Sequence, residues 1–273
     1  MPNHSRLGQN FLEDAQAIQR IADALGNCAS RTVVEIGPGG GAITRALAAR
    51  CARLLAIELD PDLAAQLRAD LPAENLTILN EDVLTFDFAA AAAAAGQPLL
   101  VAGNLPYYIT SPILHRLAAA HASLSLAVLM VQREVADRIT AQPGSRDYGL
   151  LSATVQLYGP AEMLFTLPPG AFSPPPKVHS AVFRWRLAPR FAALGVPRES
   201  FINFLRQCFA QKRKTLANNL RAAGFAPADL AAALARAKIA AQARAESLSL
   251  EDFAALWCAL HAEGAASSSE AAP

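Results

Sequence analysis

The pattern that most limits the fold is a repeated alternation of two kinds of segment between residues 32 and 140. Short aliphatic and β-branched runs alternate with stretches whose apolar residues recur at helical spacing. This alternation predicts an α/β fold with a parallel sheet covered by helices on both faces, because parallel neighbours need crossover connections. The predicted strands are residues 32–36, 53–58, 76–79, 99–102 and 126–131, and the predicted helices are residues 43–50, 61–71, 112–120 and 133–140.

The segments that flank this region extend the predicted sheet and its helical cover. Ahead of it, residues 15–25 form a predicted helix with Asp14 as the N-cap. After it, two apolar runs at residues 162–167 and 180–187 are expected to pair in antiparallel fashion at a sheet edge.

Beyond Ala188 the pattern becomes helical. One apolar stripe at helical spacing runs from Phe201 to Leu220, and residues 229–237 and 250–261 repeat this pattern. We therefore expect three parts, namely a sheet domain of residues 1–188, a small all-α domain of residues 189–262 and a disordered tail of residues 263–273.

Composition excludes several classes of protein. Hydrophobic residues make up 53% of the chain, yet there is no run of about 18 apolar residues that could span a bilayer. The first residues have no signal-peptide pattern, so a soluble cytoplasmic protein without a membrane partner is expected. The cysteines form no C-x-x-C pair and the histidines have no metal-ligand spacing, which predicts neither disulfide nor metal.

Charge is distributed unevenly along the chain although the net charge is only +1. Between residues 184 and 221 there are nine basic residues and a single acid, Glu199. Such a region is expected to contact the phosphates of a nucleic acid, unless it is an ordinary solvated helix face. The candidate contacts are Arg206, Lys212, Arg213, Lys214 and Arg221.

A glycine-rich loop and two acids predict a nucleoside-containing cofactor. Residues 37–42 read Gly-Pro-Gly-Gly-Gly-Ala, in which Gly37 and Gly39 begin a G-x-G-x-x-A pattern between a strand and a helix. Glu58 follows about 20 residues later, at the end of the second strand, where a ribose-binding carboxylate belongs; it could also be an ordinary strand-end acid. Asp82 can accept a hydrogen bond from an adenine amine or can simply cap a loop.

The segment Asn104-Leu105-Pro106-Tyr107-Tyr108 indicates a particular reaction more directly than any other part of the sequence. The Asn104 amide oxygen and the Leu105 carbonyl can accept both hydrogens of a base amine, so that the lone pair of the nitrogen can attack. Pro106 biases Leu105 to an extended conformation, and Tyr107 can stack on a flipped-out base. Alone, the segment could equally be a strand that ends in a Pro turn.

Together these residues line the carboxyl edge of one sheet, where α/β folds bind ligands. Seven motifs of the chain are Gly8-Gln9-Asn10-Phe11-Leu12, Glu35-Ile36-Gly37-Pro38-Gly39, Ile57-Glu58-Leu59-Asp60, Glu81-Asp82, Asn104-Leu105-Pro106-Tyr107, Phe172-Ser173-Pro174-Pro175-Pro176-Lys177-Val178 and Gln211-Lys212-Arg213-Lys214-Thr215-Leu216. In these motifs the chain resembles the ribosomal RNA adenine N6-dimethyltransferases, over residues 8 to about 261.

The resemblance implies a Rossmann-like methyltransferase sheet and dimethylation of two adjacent adenosines near the 3′ end of 16S rRNA in the 30S subunit. It implies S-adenosylmethionine as cofactor, a monomer, and RNA contacts from the helical domain. Phe172 is a candidate for the second face of the flipped base or a core anchor, and Lys177 for a phosphate contact or a solvated charge. The cofactor contacts that it implies are Asn10, Leu12, Gly37, Glu58, Asp82 and Asn104.

The sequence departs from the family pattern near its N-terminus. Leu7 stands where the family commonly has an aromatic residue, and the basic N-terminal extension is reduced to His4-Ser5-Arg6, which weakens the expectation of RNA contacts there.

Three rival functions stay open on the sequence. A nicotinamide-dependent oxidoreductase would use the glycine loop and Glu58 but leaves residues 104–107 unexplained. A ribosome assembly factor would bind RNA without needing catalysis. A methyltransferase acting on large-subunit RNA or on DNA would share the chemistry but not the substrate.

Overall fold

A computed structural model describes residues 10–261. The strands are β1 Phe11–Leu12, β2 Thr32–Ile36, β3 Arg53–Glu58, β4 Leu76–Asn80, β5 Leu99–Asn104, β6 Leu124–Gln132, β7 Ala161–Leu167, β8 Phe172–Ser173 and β9 Ser180–Arg186. The helices are α1 Ala15–Ala24, α2 Ala42–Ala48, α3 Pro61–Asp70, α4 Phe88–Ala95, α5 Thr110–Ala119, α6 Arg133–Thr140, α7 Leu150–Leu157, α8 Phe191–Leu194, α9 Arg198–Cys208, α10 Leu216–Ala222, α11 Pro227–Arg236 and α12 Leu250–His261. The predicted disordered tail, Gly8-Gln9 of the first motif and the short N-terminal extension lie outside the described residues.

The main sheet has seven strands in the order β4-β3-β2-β5-β6-β9-β7. Its first five strands are parallel, and β9 and β7 add an antiparallel pair at one edge, which confirms the predicted edge pair. Every residue of β2 is buried, as expected for a parallel strand covered on both faces. The order reverses between β2 and β5, so a crevice opens at the carboxyl ends of these strands.

Local sequence signals set where helices begin around this sheet. Asp14 caps α1 by accepting from the Ala17 backbone N–H at 3.0 Å, as predicted. Asp60 caps α3 by accepting from the N–H groups of Asp62 and Leu63, and Pro61 occupies the first turn.

Among the described residues no helix is long and apolar enough to cross a membrane.

A two-stranded ribbon forms beside the main sheet and had no signal in the sequence. β1 pairs antiparallel with β8, with Phe11 opposite Ser173 and Leu12 opposite Phe172. Both Leu12 and Phe172 are buried in the core of the sheet unit. The pairing therefore ties the N-terminal motif to the segment that follows β7.

The chain divides into two compact units, and the boundary differs from the predicted one. Of the described residues, one unit contains 10–137 together with 159–188, and the other contains 138–158 together with 189–261. The prediction that residues 1–188 form one domain misplaces the segment 138–158. This segment contains α7, whose Ala153 and Leu157 are buried in the hydrophobic core of the helical unit.

The helical unit differs from the prediction in a second respect. The single apolar stripe predicted over residues 201–220 is interrupted, because α9 ends at Cys208 and α10 begins after the N-cap Thr215. The apolar residues on both sides of this break still pack together, since Phe204 of α9 and Leu220 of α10 belong to the same core. The turn between the two helices projects Lys212, Arg213 and Lys214, which we call the basic turn.

Candidate active site

The glycine loop between β2 and α2 presents bare backbone to a cavity. Gly37, Gly39 and Gly41 have φ values of 68°, 54° and 76°, in the left-handed region that favours glycine. The Gly37 N–H donates to the Ile57 carbonyl at 3.0 Å, which fixes the loop to β3. A Cβ added to Gly39 would lie 3.0 Å from the Phe11 ring, so this ring packs against the loop more closely than a side chain at position 39 would allow.

Two cavities adjoin at the carboxyl edge of the sheet. The larger has a volume of about 290 Å³ and the smaller about 50 Å³, and both are bordered by Gly37, Glu58 and Pro106. Asp82 and Tyr108 line the smaller one. The larger one brings together Asn10, Leu12, Gly37, Gly39, Glu58, Asn104, Leu105, Pro106 and Tyr107, all of which were predicted from the sequence.

Glu58 is more than a strand-end acid, because its carboxylate is built into the cavity wall. It is only 4% exposed; its Oε2 accepts from the Gly39 N–H and its Oε1 from the Asp60 N–H, each at 3.0 Å. Burial raises the pKa of Glu58, and the two N–H donors partly oppose this. Each oxygen keeps acceptor capacity for further donors such as ribose hydroxyls.

Asp82 makes the hydrogen bond of a loop cap and also lies at the smaller cavity. Its Oδ1 accepts from the Leu84 N–H at 2.9 Å, which is the capping interaction of an ordinary loop acid. It also borders the smaller cavity, where a carboxylate can accept from an adenine amine.

Asn104 is held in one orientation by a residue from the N-terminal motif. Its Nδ2 donates to the Asn10 carbonyl at 3.1 Å, which leaves Oδ1 as the acceptor of this amide. The neighbouring Leu105 N–H donates to the Met130 carbonyl at 2.9 Å, so the segment continues the ladder between β5 and β6.

The carbonyl groups that follow Asn104 have different environments. The Pro106 carbonyl accepts from the Thr110 hydroxyl at 3.1 Å and from the Ile109 N–H at 3.2 Å. Within residues 10–261 the Leu105 carbonyl has no such donor, and Leu105 lines the larger cavity. Asn104 and Leu105 thus supply two adjacent acceptors at one wall.

Tyr107 begins a single 3-10 turn, Tyr107–Ile109, between β5 and α5. Its ring is half-buried, and its hydroxyl lies 2.7 Å from the Ser180 Oγ. Burial raises the pKa of Tyr107, so the phenol is neutral at physiological pH. Tyr108 is 59% exposed and borders the smaller cavity.

Phe172 is not brought to the cavity. Its side chain is 4% exposed, packs in the core with Leu12 and lines neither cavity. This geometry supports its interpretation as a core anchor, and base stacking by Phe172 stays a prediction. Lys177 is exposed on the loop that precedes β9.

The other predicted phosphate contacts are all exposed on the helical unit. Arg206 lies on α9, Arg221 lies on α10, and the basic turn lies between them. In the described part of the chain none of these side chains pairs with a carboxylate. Asn219 shapes the turn, because its buried Nδ2 donates to the Cys208 carbonyl at 2.7 Å and to the Gln211 carbonyl at 3.2 Å.

The sequence suggested no role for two residues of the site, and for a third residue it suggested a role without a physical reason. Ser180 and the Phe11 ring had been given no role, and Asn10 was known only from the resemblance. A recognisable signal existed only for Phe11, which lies between two predicted contacts in its motif. The described residues contain no group of three or more side chains able to hold a metal ion.

The residues at this edge fit one kind of cofactor. Open glycine backbone, a buried carboxylate at the end of β3 and a second acid after β4 suit the amino-acid, ribose and adenine parts of one ligand. Fold and site together define an S-adenosylmethionine-dependent methyltransferase. A family model described as ribosomal RNA adenine dimethylase matches residues 2–261. The chain belongs to that family, which overturns the hypothesis of a nicotinamide-dependent oxidoreductase.

Individual relatives agree with this assignment. A protein of Acidobacterium capsulatum named ribosomal RNA small subunit methyltransferase A is 58% identical over 253 residues, covering 92% of this chain and 89% of the relative. A protein of the same name from Koribacter versatilis is 51% identical over 265 residues, covering 93% of each chain.

Solved structures show the same architecture. The crystal structure of the 23S rRNA methyltransferase ErmE has a TM-score of 0.71 at 28% identity, covering 92% of this chain and 99% of the other. A dimethyladenosine transferase from Plasmodium falciparum has a TM-score of 0.80 at 24% identity, covering 93% and 98%, and supports the fold alone.

Proposed function

We propose that this protein dimethylates the N6 amines of two adjacent adenosines near the 3′ end of 16S rRNA in the small ribosomal subunit, using S-adenosylmethionine. The carrying observation is the pair of acceptors, Asn104 Oδ1 and the Leu105 carbonyl, on the wall of the cavity that contains Glu58 and the glycine loop. Small-subunit relatives at 58% and 51% identity, against 28% for a 23S rRNA enzyme, favour the small subunit as substrate.

The cofactor's place follows from the residues that border both cavities. Glu58 would accept from the ribose hydroxyls, Asp82 from the adenine amine, and the glycine loop would receive the amino-acid end. Asn10 and Leu12 would contribute to the wall of the larger cavity around the cofactor. When bound, S-adenosylmethionine supplies an electrophilic methyl group.

The chain's own contribution to the reaction is the handling of the amine. The lone pair of an exocyclic amine is delocalised into the base, so the free base is a poor nucleophile. When Asn104 and Leu105 accept both amine hydrogens, they draw the nitrogen toward a tetrahedral shape. Because the amine becomes tetrahedral only in the transition state, these hydrogen bonds stabilise the transition state more than the bound substrate. Tyr107 fixes the ring plane by stacking. A strong general base is not required, because the methylated nitrogen is cationic and sheds its proton readily.

The second methyl transfer places a different demand on the same wall. After the first transfer N6 has only one hydrogen, so one of the two acceptors loses its partner. The first methyl group must then occupy space in the cavity, whose volume of about 290 Å³ is shared with the cofactor.

RNA is proposed to dock through the basic turn with Arg206 and Arg221, with Lys177 as a further phosphate contact. All of these cations are exposed, and the segment that carries most of them has almost no acids. A monomer acting in the cytoplasm is part of the proposal, since one chain supplies every residue assigned to the cofactor and to the amine.

Transfer of labelled methyl groups tests the proposal. Undermethylated small subunits, large subunits, naked RNA and DNA are offered as substrates, followed by nucleoside analysis. We expect N6,N6-dimethyladenosine from small subunits, and none with Asn104→Ala. Label confined to large subunits or DNA would refute the proposed substrate. An assembly factor that needs no catalysis would act equally well with Asn104→Ala.

A further inference from the structure

The hydrogen bond between Tyr107 and Ser180 joins the active site to a distant strand. The two hydroxyl oxygens lie 2.7 Å apart although the residues are separated by 73 positions. Ser180 is the first residue of β9, where it pairs with Gln132 of β6 on one side and with Leu167 of β7 on the other. Backbone ladders on both sides hold Ser180 in place, so its hydroxyl is a fixed point.

The surroundings of Ser180 give its hydroxyl no other evident purpose. Ser180 is 0% exposed, as are Ala181, Val182 and Phe183, which follow it on β9. A hydroxyl in such a position is costly unless it is hydrogen-bonded, and alanine would suit a buried strand at least as well. Within the described residues Tyr107 is the one hydrogen-bond partner of the Ser180 side chain.

The Tyr107 ring needs an external restraint. It sits in a single 3-10 turn, lines the larger cavity and is only half-buried, so protein contacts cover only part of the ring. A hydrogen bond to the phenol oxygen anchors the far end of the ring and so restrains the first side-chain torsion. Rotation of the ring about its own axis leaves that oxygen in place, but the hydrogen bonds of a phenol oxygen prefer to lie in the ring plane, so the bond also favours one ring orientation. Ring stacking depends on the relative orientation of the two planes, so this restraint bears directly on a base that lies against Tyr107.

We propose that Ser180 is a positioning residue for methyl transfer. It holds the Tyr107 ring in the plane on which the target adenine stacks, and it acts whichever hydroxyl is the donor. The inference rests on the proposed function, since it assumes that Tyr107 stacks on the base.

Four variants and one control isolate this effect. Ser180→Ala and Tyr107→Phe each remove the same hydrogen bond from opposite ends, and the double variant removes nothing further. Ser180→Thr keeps the hydroxyl. Ser125→Ala is the matched control, because Ser125 is a strand serine of β6 whose Oγ donates to the Leu99 carbonyl at 3.3 Å and which lines neither cavity.

The measurements are single-turnover methyl transfer to small subunits, cofactor affinity by calorimetry, and fluorescence of 2-aminopurine placed at the target position in RNA. We expect each single variant to lower the transfer rate about two- to tenfold, the range for loss of one neutral hydrogen bond. The double variant should be no slower than the slower single variant. Cofactor affinity should be unchanged, stacking-induced quenching should weaken, and Ser180→Thr should restore the rate.

Multiplication of the two single losses in the double variant would overturn the proposal, as would a wild-type rate for Ser180→Ala. If Ser180→Ala does not fold, Tyr107→Phe decides, and full activity of that variant overturns the proposal. Failure of the proposed function is distinguishable, because the wild-type protein would then transfer no methyl groups to small subunits.

Discussion

Replacement of Gly103 by alanine should move Asn104 away from the glycine loop. Gly103 lies on β5 opposite Ile36 of β2, one residue before Asn104 and level with the start of the glycine loop. A Cβ at this position would lie 2.6 Å from the Ile36 carbonyl oxygen and 3.2 Å from its Cβ. The first contact is with backbone, which cannot swing aside as a flexible side chain can.

The distance sets the size of the effect. Ordinary contact begins at 3.4 Å, so relief of the 2.6 Å contact requires the strands to separate by about 0.8 Å. Overpacking of this kind costs about 1–3 kcal/mol of folding stability. The displacement also moves Asn104 away from the cofactor loop, and a misplacement of about 1 Å can cost about a hundredfold in rate.

The assay is single-turnover methyl transfer by Gly103→Ala, with thermal unfolding and cofactor calorimetry on the same protein. We expect a loss of about a hundredfold in rate and a smaller loss in cofactor affinity. Gly170→Ala is the control, because a Cβ there meets nothing within 4 Å and its φ is not positive. A folded Gly103→Ala protein with a rate within a few fold of wild type would refute the idea that strand spacing sets the reaction geometry.

Three further predictions follow from the same structure. Asn104→Asp replaces the donor to the Asn10 carbonyl with a repelling oxygen, so methyl transfer should fall at least about a hundredfold, and a rate near wild type would contradict the orienting role of the Asn10 carbonyl. Burial raises the pKa of Glu35 from 4.5 to about 8, so its contribution to stability is complete below pH 4.5 and is lost as the pH rises toward 8. The melting temperature of the wild-type protein should therefore fall between pH 5 and pH 8, and that of Glu35→Gln should fall less. The difference corresponds to at most about 5 kcal/mol in the free energy of unfolding, and parallel melting curves against pH for the two proteins would exclude this cause. Reversal of the basic turn to Glu should weaken binding to small subunits and its salt dependence while sparing cofactor affinity, whereas equal loss of both would indicate misfolding.

The sheet was predictable because its signals are local. β2 and β3 occupy the predicted residues, because short hydrophobic runs of that length in an α/β chain usually form buried strands. The helical unit was less predictable for two physical reasons. A periodic stripe does not reveal a turn when the helices on either side of it face one core, as α9 and α10 do. The placement of α7 with the helical unit depends on contacts made far along the chain.

The candidate site divides along the same line. Glycine loop, acids and the Asn-Leu-Pro-Tyr segment each follow a strand, so parallel pairing alone was enough to predict that they meet. The orientation of their side chains depends on two long-range hydrogen bonds, from Asn104 to the Asn10 carbonyl across 94 positions and between Tyr107 and Ser180 across 73. The first requires the β1–β8 pairing and the second requires the register of β9, neither of which has a local sequence signal. Because the N-terminal motif and β9 supply the partners of the amide and of the ring that are proposed to bind the base, we expect substitutions in either to alter catalysis without contact to a substrate.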